Sequence, residues 1–389
     1  MTLKLALRNI IGNGWRSLIN VAVIAIVLIG LIWGEGMWYS WLTLAKNQQR
    51  EWEYGGGILR AKSYDPFDAF TWENGYAPVP AEAQSYVRGG RIVPILYSPG
   101  MIYPQGRMMN ALVKGIPENQ KVLSFPSTAL NAADSSYVPA IIGREMAKTS
   151  RLQEGEVFTL RLKDSTGAFN SLDLQVARVM DCPVPSLDIG TVWIDLTALR
   201  KVKLLPDAAT VLVLKDASLT AIKAPLFRYI DPREFFADLN QMVKTKVSGQ
   251  SLPFGMLILL AMLAVFDTQA LAIFKRRKEI GMLSALGMTK GQIIRLFTSE
   301  GALYMVAASV CAIVLGFPLY WYFAVKGFAL PQGYQSFGVA GFNEPLKFHY
   351  PLLVILGTLI FLFLLTVFVS WLPARKIARL HPTEALRGK

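Results

Sequence analysis

Three carboxylates lie within or at the ends of strongly apolar segments, where an ionised side chain is costly and usually kept for a purpose. They are Glu35, Asp267 and Glu300. Such groups either relay protons or pair with neighbouring cations. For Asp267 and Glu300 structural pairing with nearby Lys or Arg is the favoured interpretation. Glu35 is either a functional group or one that reaches interfacial water.

Residue patterns typical of an enzyme do not accompany these carboxylates. The sequence shows no nucleophile–base arrangement and no carboxylate pair. It contains two histidines, His349 and His381, and no Cys/His cluster with metal-ligand spacing. Cys182 and Cys311 lie in regions of different character, so a disulfide framework is not expected. We expect neither an enzyme nor a metal site nor a cofactor on this chain.

The apolar segments that contain or adjoin these carboxylates are predicted to be membrane helices. The 389-residue chain is 53% hydrophobic and 17% charged, against about 25% charged residues in soluble domains. Four segments reach the roughly 20 apolar residues that a transmembrane helix needs: 18–39, 253–274, 302–323 and 350–372. We call them spans 1 to 4. Span 1 is expected to be an uncleaved anchor, because it is long and no small-x-small cleavage site follows it.

The charge distribution predicts the orientation of the spans. Much of the net charge of +13 lies beside the apolar segments, which is the positive-inside pattern and argues against nucleic-acid binding. Segments 1–17, 275–297 and 373–389 are then cytoplasmic. The region 40–250 and the short loop 324–349 lie outside. The predicted fold class is an integral membrane α-helical protein with four helices in a 1+3 order and a large α+β extracytoplasmic domain between spans 1 and 2.

Periodicity supports the α+β prediction for the outer region. Alternating or continuous apolar runs predict strands, and two segments read as helices, the second leading into span 2. The predicted strands are 155–162, 172–176, 191–194 and 210–214, and the predicted helices are 217–224 and 233–246. A further strand end is expected to enter a short helix within 141–149. The Pro- and Gly-rich stretch 64–106 gives no clear prediction.

Between spans 2 and 3 the pattern predicts a helix–stop–helix. The first helix is expected to run to Leu286, and Gly287 suits the left-handed position that ends a helix. Thr289 and Gln292 fit a capping box that starts the next helix. The alternative is a basic loop that only fixes topology. Apolar residues that recur at helical spacing beside the charges favour the structured turn: Ile280, Leu283 and Leu286.

The same run carries a family resemblance. Residues 276–293 resemble the signature of the FtsX-like permeases, the MacB/LolC/LolE group of ABC transporters, with the pattern Arg-x-x-Glu-Ile-Gly-x-x-x-Ala-x-Gly. Segments 6–18, 142–156 and 373–387 resemble the group's entry into span 1, its outer-domain motif and its carboxyl-terminal tail. The tail departs from the group at His381, where an acidic residue is common.

The resemblance implies a bacterial inner-membrane permease with a periplasmic MacB-like domain. It would pair with a second permease copy or paralogue and with two ATPase subunits, which bind the ATP and Mg. The sequence has no phosphate loop and about 17 residues precede span 1, so a separate ATPase is expected, as in LolC/LolE. A periplasmic carrier or adaptor is a further partner. The implied ATPase-coupling residues are Arg276, Arg277, Glu279, Ile280, Gly281, Ala285 and Gly287.

Three functions remain open at this point. The leading hypothesis is ATP-driven extraction of lipoproteins from the outer leaflet, by force transmission rather than through a channel. The second is MacB-like efflux of peptides, antibiotics or other amphiphiles. The third is FtsX-like regulation of a cell-wall hydrolase.

Three smaller sequence patterns can also be interpreted. Gly30-x-x-x-Gly34 in span 1 favours a helix contact, in this family at the dimer interface. Four aromatic residues near the outer end of span 1 favour an interface belt over a ligand-stacking site; they are Trp33, Trp38, Tyr39 and Trp41. Three methionines favour ordinary packing over an adaptable binding surface; they are Met101, Met108 and Met109.

Overall fold

The computed structural model describes residues 14–131, 136–276, 279–282, 286–329 and 345–377. These residues divide into two compact units. A helical unit comprises the described residues of 14–42, 242–329 and 345–377. A strand-rich unit comprises the described residues of 43–241.

The helical unit is built from long apolar helices. The four long helices of the described chain are α1 Trp15–Gln49, α7 Ala237–Lys275, α8 Lys290–Val325 and α9 Leu352–Ile377. A π-helical turn, Arg50–Tyr54, continues α1. Each helix contains a stretch long and apolar enough to cross a membrane. Predicted spans 1 to 3 lie within three of the helices, and span 4 starts two residues before α9. The chain is therefore a membrane protein with a large additional domain.

Small residues let these helices pack closely. Ala25 of α1 and Ala308 and Ala312 of α8 are buried together with Leu28 and Val265. Alanine keeps the backbones close, which is how helices associate where lipid removes the hydrophobic driving force. Prolines lie inside α7, α8 and α9, as membrane helices tolerate.

Short helices and eleven strands make up the described part of the strand-rich unit. The strands are β1 Gly57–Ala61, β2 Ala77–Pro78, β3 Ile92–Tyr103, β4 Met109–Ile116, β5 Val138–Gly143, β6 Val157–Lys163, β7 Phe169–Met180, β8 Thr191–Asp195, β9 Ala208–Ala209, β10 Val211–Leu214 and β11 Phe227–Ile230. The α-helices are α2 Ala81–Arg88, α3 Arg144–Ser150, α4 Pro185–Asp188, α5 Leu196–Lys203 and α6 Pro232–Phe235. Single 3₁₀ turns cover Ala69–Thr71, Pro104–Gly106, Ser127–Leu130 and Ala217–Ala221.

Six of these strands close into a small barrel. Its order is β3-β4-β8-β5-β7-β6, and β6 pairs back onto β3. Alternate side chains fill the interior, among them Leu96, Ile102, Val113 and Leu160, all fully buried. Gly100 lies where β3 pairs with both β4 and β6, and a Cβ there would come within 3.0 Å of Leu160 Cδ1. Glycine therefore suits the closure point of the barrel.

A three-stranded extension, β11-β1-β10, pairs with the first half of β3. The outward-facing Tyr97, Lys114 and Trp193 of the barrel are buried here. The Lys114 ammonium lies 4.7 Å from the Tyr97 ring, 5.2 Å from the Trp193 ring and 3.8 Å from Glu53 Oε1. Burial lowers the pKa of Lys114, and the carboxylate of Glu53 partly opposes this shift.

All four strands predicted in the outer region are present, as β6, β7, β8 and β10. The two predicted helices differ from the structure. The segment 217–224 forms only the 3₁₀ turn Ala217–Ala221. The segment 233–246 is divided, because α6 starts at Pro232 behind the cap of Asp231 and α7 begins at Ala237. Helix α7 then continues into span 2 without a break. The strand end that enters a short helix is confirmed as β5 followed by α3.

Candidate functional site

The turn between α7 and α8 is a structured element. Ile280 N donates to Arg276 O at 3.0 Å, and Leu286 N donates to Met282 O at 2.9 Å. Gly287 has φ +95°, the positive region that ends helices. Thr289 N donates to Gln292 Oε1 at 2.9 Å and Gln292 N donates to Thr289 Oγ1 at 3.4 Å. The left-handed conformation of Gly287 and the capping box are confirmed. Helix α7 ends at Lys275, and the predicted continuation to Leu286 includes residues 277–278 and 283–285, which lie outside the described residues.

Arg276 ties this turn to α8. Its Nε donates to Glu279 Oε2 at 2.7 Å and its Nη1 to Glu300 Oε1 at 3.1 Å. The guanidinium also lies 5.3 Å from the Phe297 ring centre. Burial alone would lower the pKa of Arg276, but the bonds and charges of Glu279 and Glu300 outweigh it, so this pKa lies above its ordinary value. We call these four residues the arginine node.

An apolar cluster holds the same side of the turn. Ile280 is buried against Ile273 of α7, Ile293 and Phe297 of α8, and Ala374 of α9. Gly281 is buried as well. The inner face of the turn therefore packs against residues of three helices.

The opposite face of the turn is exposed and apolar at its centre. Met282 is 56% and Leu286 78% exposed, and Lys275, Lys290 and Arg295 in the flanking sequence are exposed as well. We call these five residues the outer face of the turn. Ile280 and Leu286 were predicted to share one apolar face, and this is wrong: Ile280 points inward and Leu286 outward. Arg277, Leu283 and Ala285 lie outside the described residues.

The arginine node contains Glu300, one of the three carboxylates noted in the sequence. Glu300, whose side chain is only 3% exposed, forms the ion pair with a neighbouring Arg that the sequence favoured. The pairing could have been found from spacing, because Arg276 and Glu300 each lie 12 residues from Met288 (288 − 276 and 300 − 288). In an antiparallel helix pair, such positions come opposite each other. Asp267 differs, since it is exposed and has no ion pair with any described residue.

Beside the node, α8 and α9 approach each other closely at Gly301. A Cβ on Gly301 would overlap the Ser370 side chain. Gln269 Oε1 and Ser370 Oγ are buried there, and neither has a hydrogen-bond partner among the described residues. This polar layer lies directly next to the node and was not anticipated from the sequence.

Glu35 takes part in a helix contact. Its Oε1 accepts a hydrogen bond of 2.6 Å from Thr358 Oγ1 of α9. Its Oε2 is buried and lacks a hydrogen-bond partner among the described residues. The carboxylate of Glu35 therefore links α1 to α9.

The two glycines of span 1 have different surroundings. A Cβ on Gly34 would come within 2.7 Å of the Phe254 ring of α7, whereas a Cβ on Gly30 meets nothing within 4 Å. Gly34 thus serves contact within the chain, and Gly30 lies on an open face of α1.

The aromatic residues of span 1 do not form one uniform belt. Trp33 packs against Phe323, Phe328 and Phe348, with ring centres 5.7–6.4 Å apart. Trp38 and Trp41 contact each other at 5.5 Å, and Tyr39 is exposed. Trp33 is therefore part of an aromatic cluster inside the helical unit.

Among the residues that the structure describes, no group of His, Cys, Asp and Glu side chains could hold a metal ion.

The helical half of the chain matches known proteins. The FtsX-like permease C-terminal family model matches residues 252–382. The uncharacterized ABC transporter permease MJ1507 of Methanocaldococcus jannaschii is 31% identical over 132 residues, 34% of this chain and 30% of that protein. The uncharacterized ABC transporter permease YknZ of Bacillus subtilis is 29% identical over 133 residues, 34% of this chain and 29% of that protein. The chain thus spans under a third of each relative's length.

One solved structure is similar to the chain at a low level. It is the extracellular domain of the noncanonical ABC-type transporter YknZ from Gram-positive bacteria, with 10% identity and a TM-score of 0.25. The similarity covers 45% of this chain and 100% of that one. A TM-score this low does not establish a shared fold.

The match of residues 252–382 includes the turn, the arginine node and helices α8 and α9. These residues are therefore the part of the chain that is similar to the FtsX-like permeases, as the C-terminal domain of that family.

Proposed function

We propose that this chain is the permease subunit of an ABC exporter driven by a separate ATPase. The observation that carries the proposal is the two-sided turn between α7 and α8. Its inner face is anchored by Ile280 and the arginine node, and its outer face exposes Leu286 at 78%. An exposed apolar residue in a segment with exposed cations on either side in the sequence suits the centre of a protein interface with a polar rim. The two relatives named as ABC transporter permeases support the same assignment.

The proposed mechanism is transmission of force through the turn. The ATPase holds the outer face of the turn, and ATP and Mg bind to the ATPase rather than to this chain. When the ATPase subunits close, the turn moves, and the node carries the movement into α7 and α8 because Arg276 bonds to residues on both sides of the turn. Arg277, Ala285 and Gly287 belong to the same coupling element.

The proposed setting is the inner membrane of a bacterium. Both termini and the turn lie in the cytoplasm, and the strand-rich unit lies in the periplasm, in the 1+3 order. Two permease copies, or this chain and a paralogue, form the complex, and the open face of α1 around Gly30 is available for their contact. The cargo is a lipoprotein already in the outer leaflet.

Intact-complex mass spectrometry of the tagged chain from native membranes tests the proposal. We expect one ATPase subunit per permease together with acylated polypeptides. If an ATPase co-purifies with small amphiphiles instead of acylated polypeptides, the cargo is that of an efflux pump. A co-purifying cell-wall hydrolase without transport cargo would indicate a regulator. A permease that carries no ATPase under any gentle condition would overturn the proposed role of the turn.

A further inference from the structure

The outside of the barrel carries a groove of about 610 Å³ that the permease mechanism does not use. This volume lies within the range of pockets that hold small molecules. The groove begins where the covered outward face ends. Tyr97, Lys114 and Trp193 are buried, but the next outward positions along β3 and β4 are only partly covered: Met101 pairs with Asn110, and Pro99 with Leu112.

The floor and one wall of this groove are apolar. Met101 and Leu112 are half-buried in the floor. Ile189, 53% exposed, and Trp72 also line the groove. Met101 belongs to the methionine group noted in the sequence, and its flexible side chain suits contact with a chain of variable shape.

Two cations share one aromatic ring at the edge of the groove. The Arg161 guanidinium lies 5.3 Å and the Lys163 ammonium 5.7 Å from the centre of the Phe169 ring, which is 52% exposed. Register explains the grouping, since Lys163 pairs with Phe169 and Arg161 pairs with Met101. Paired residues of antiparallel strands project to the same face.

The charges at this edge do not balance. Lys163 Nζ lies 3.0 Å from Glu73 Oε1, so that cation already has a partner. Arg161 is exposed and forms no ion pair with a described residue. One guanidinium therefore remains for an anion beside an apolar floor, and an Arg fork binds carboxylate or phosphate oxygens in a bidentate manner.

We propose that this groove binds an amphiphile with one apolar chain and one carboxylate or phosphate group. The chain lies on Met101, Leu112 and Ile189, and the anion bonds to Arg161. The site rests on the strand-rich unit alone and stands whether or not the chain is an ABC permease. The ligand comes either from free fatty acids or from an anionic phospholipid.

The test uses the full chain in nanodiscs of zwitterionic phosphatidylcholine. Photoactivatable dodecanoate and photoactivatable lysophosphatidylglycerol represent the two sources, and the matching dodecanol probe lacks the anion. Mass spectrometry then maps the labelled peptides. We expect the acidic probes to label β3, β4 and β6, with competition by unlabelled dodecanoate. Labelling by only one acidic probe identifies the source.

Variants of the cation separate a binding role from a structural one. Arg161→Gln is expected to weaken the binding of the acidic probes about tenfold, because a charge-assisted hydrogen bond is lost. The labelling by dodecanol should remain unchanged. Arg161→Lys retains most binding. Arg178→Gln, which removes an exposed arginine of β7 outside the groove, has no effect. Equal labelling by acid and alcohol, labelling confined to other strands or helices, or equal behaviour of Arg161→Gln and Arg178→Gln would overturn the proposal.

Discussion

The Arg276 guanidinium lies 3.1 Å from the Glu300 carboxylate, and the Glu300 side chain is only 3% exposed. The pair joins the start of the turn to the second turn-flanking helix, 24 residues further along the chain. A carboxylate buried to this degree depends on its partner, because water cannot replace the lost charge.

Removal of either partner should therefore destabilise the helical unit. Arg276→Met is expected to cost about 3–5 kcal/mol of unfolding free energy, whereas Arg276→Met/Glu300→Met together should cost much less, since no buried charge remains. The surface pair Arg91–Asp216, with side chains 46% and 52% exposed, provides the control, and Arg91→Met should cost at most about 1 kcal/mol. Denaturant unfolding in lipid nanodiscs compares the unmodified chain with these three variants and with the single variant Glu300→Met. A double variant as unstable as the sum of the singles would contradict this account.

Leu286 should matter for the ATPase partner and not for folding. Because Leu286 is 78% exposed, Leu286→Asp removes little buried surface but places a charge at the centre of the proposed interface. We expect co-purification of the ATPase to fall at least about tenfold, as for a central interface residue, with an unchanged melting temperature. Leu226→Asp, at a leucine 51% exposed in the strand-rich unit, is the matched control. Equal ATPase recovery with both variants would remove Leu286 from the interface.

Parts of this fold follow from local sequence and parts do not. The long helices could be predicted from the length of the apolar segments. The start of α8 could be predicted from Thr289 and Gln292, because capping depends on residues close in sequence. Strand β3 was not predicted, because Pro94 and Pro99 lack the N–H that a ladder needs. Its partners change along its length: β10 pairs with residues 92–95, β4 with residues 96–102 and β6 with residues 100–103.

The candidate site shows the same division. Its capping box and the positive φ of Gly287 were predicted, since each depends on a few neighbouring residues. The direction in which Ile280 and Leu286 point was not. Helical spacing places residues on a face, but only the packing of α8 and α9 decides which side of a turn is covered.

The contact between Glu35 and Thr358 should stabilise the packing of α1 on α9. Thr358→Val removes the 2.6 Å hydrogen bond and leaves a partly buried carboxylate oxygen without a donor, which should cost about 1–3 kcal/mol. Thr366→Val is the control, because Thr366 is fully buried but bonds to Leu362 O of its own helix at 2.8 Å. Adding Glu35→Leu to Thr358→Val should restore stability in the same unfolding assay. Equal losses for Thr358→Val and Thr366→Val would argue against the interhelical bond.

Gly34 and Gly30 should respond differently to the same substitution. Gly34→Ala forces the Phe254 ring away from a 2.7 Å approach, and such overpacking typically costs about 1–3 kcal/mol. Gly30→Ala meets nothing within 4 Å and should gain up to about 1 kcal/mol from helix propensity. Unfolding of each variant, with the monomer and dimer resolved by light scattering, checks both expectations. Similar stability changes at the two glycines would show that the Phe254 contact does not constrain the helix.

Cys182 should give the strand-rich unit an alkaline sensitivity. The thiol is 5% exposed, and burial raises its pKa to about 12, whereas an unfolded cysteine has a pKa of about 8.5. Between these values the unfolded chain releases the proton first, so this contribution to stability is complete below the unfolded pKa and declines as pH rises. From pH 8.5 to 10 the loss should reach about 2 kcal/mol.

Two alanine variants isolate that contribution. Cys182→Ala should flatten the decline of unfolding free energy over this pH range, and Cys311→Ala, at the cysteine of α8, should leave it as in the unmodified chain. Burial lowers the pKa of Lys114, so its contribution to the unfolding free energy rises with pH. Because Lys114 is present in both variants, it does not affect the comparison between them. Denaturant unfolding followed by tryptophan fluorescence gives the slopes. Parallel pH profiles for Cys182→Ala and Cys311→Ala would mean that the thiol is already exposed or that its proton is not linked to folding.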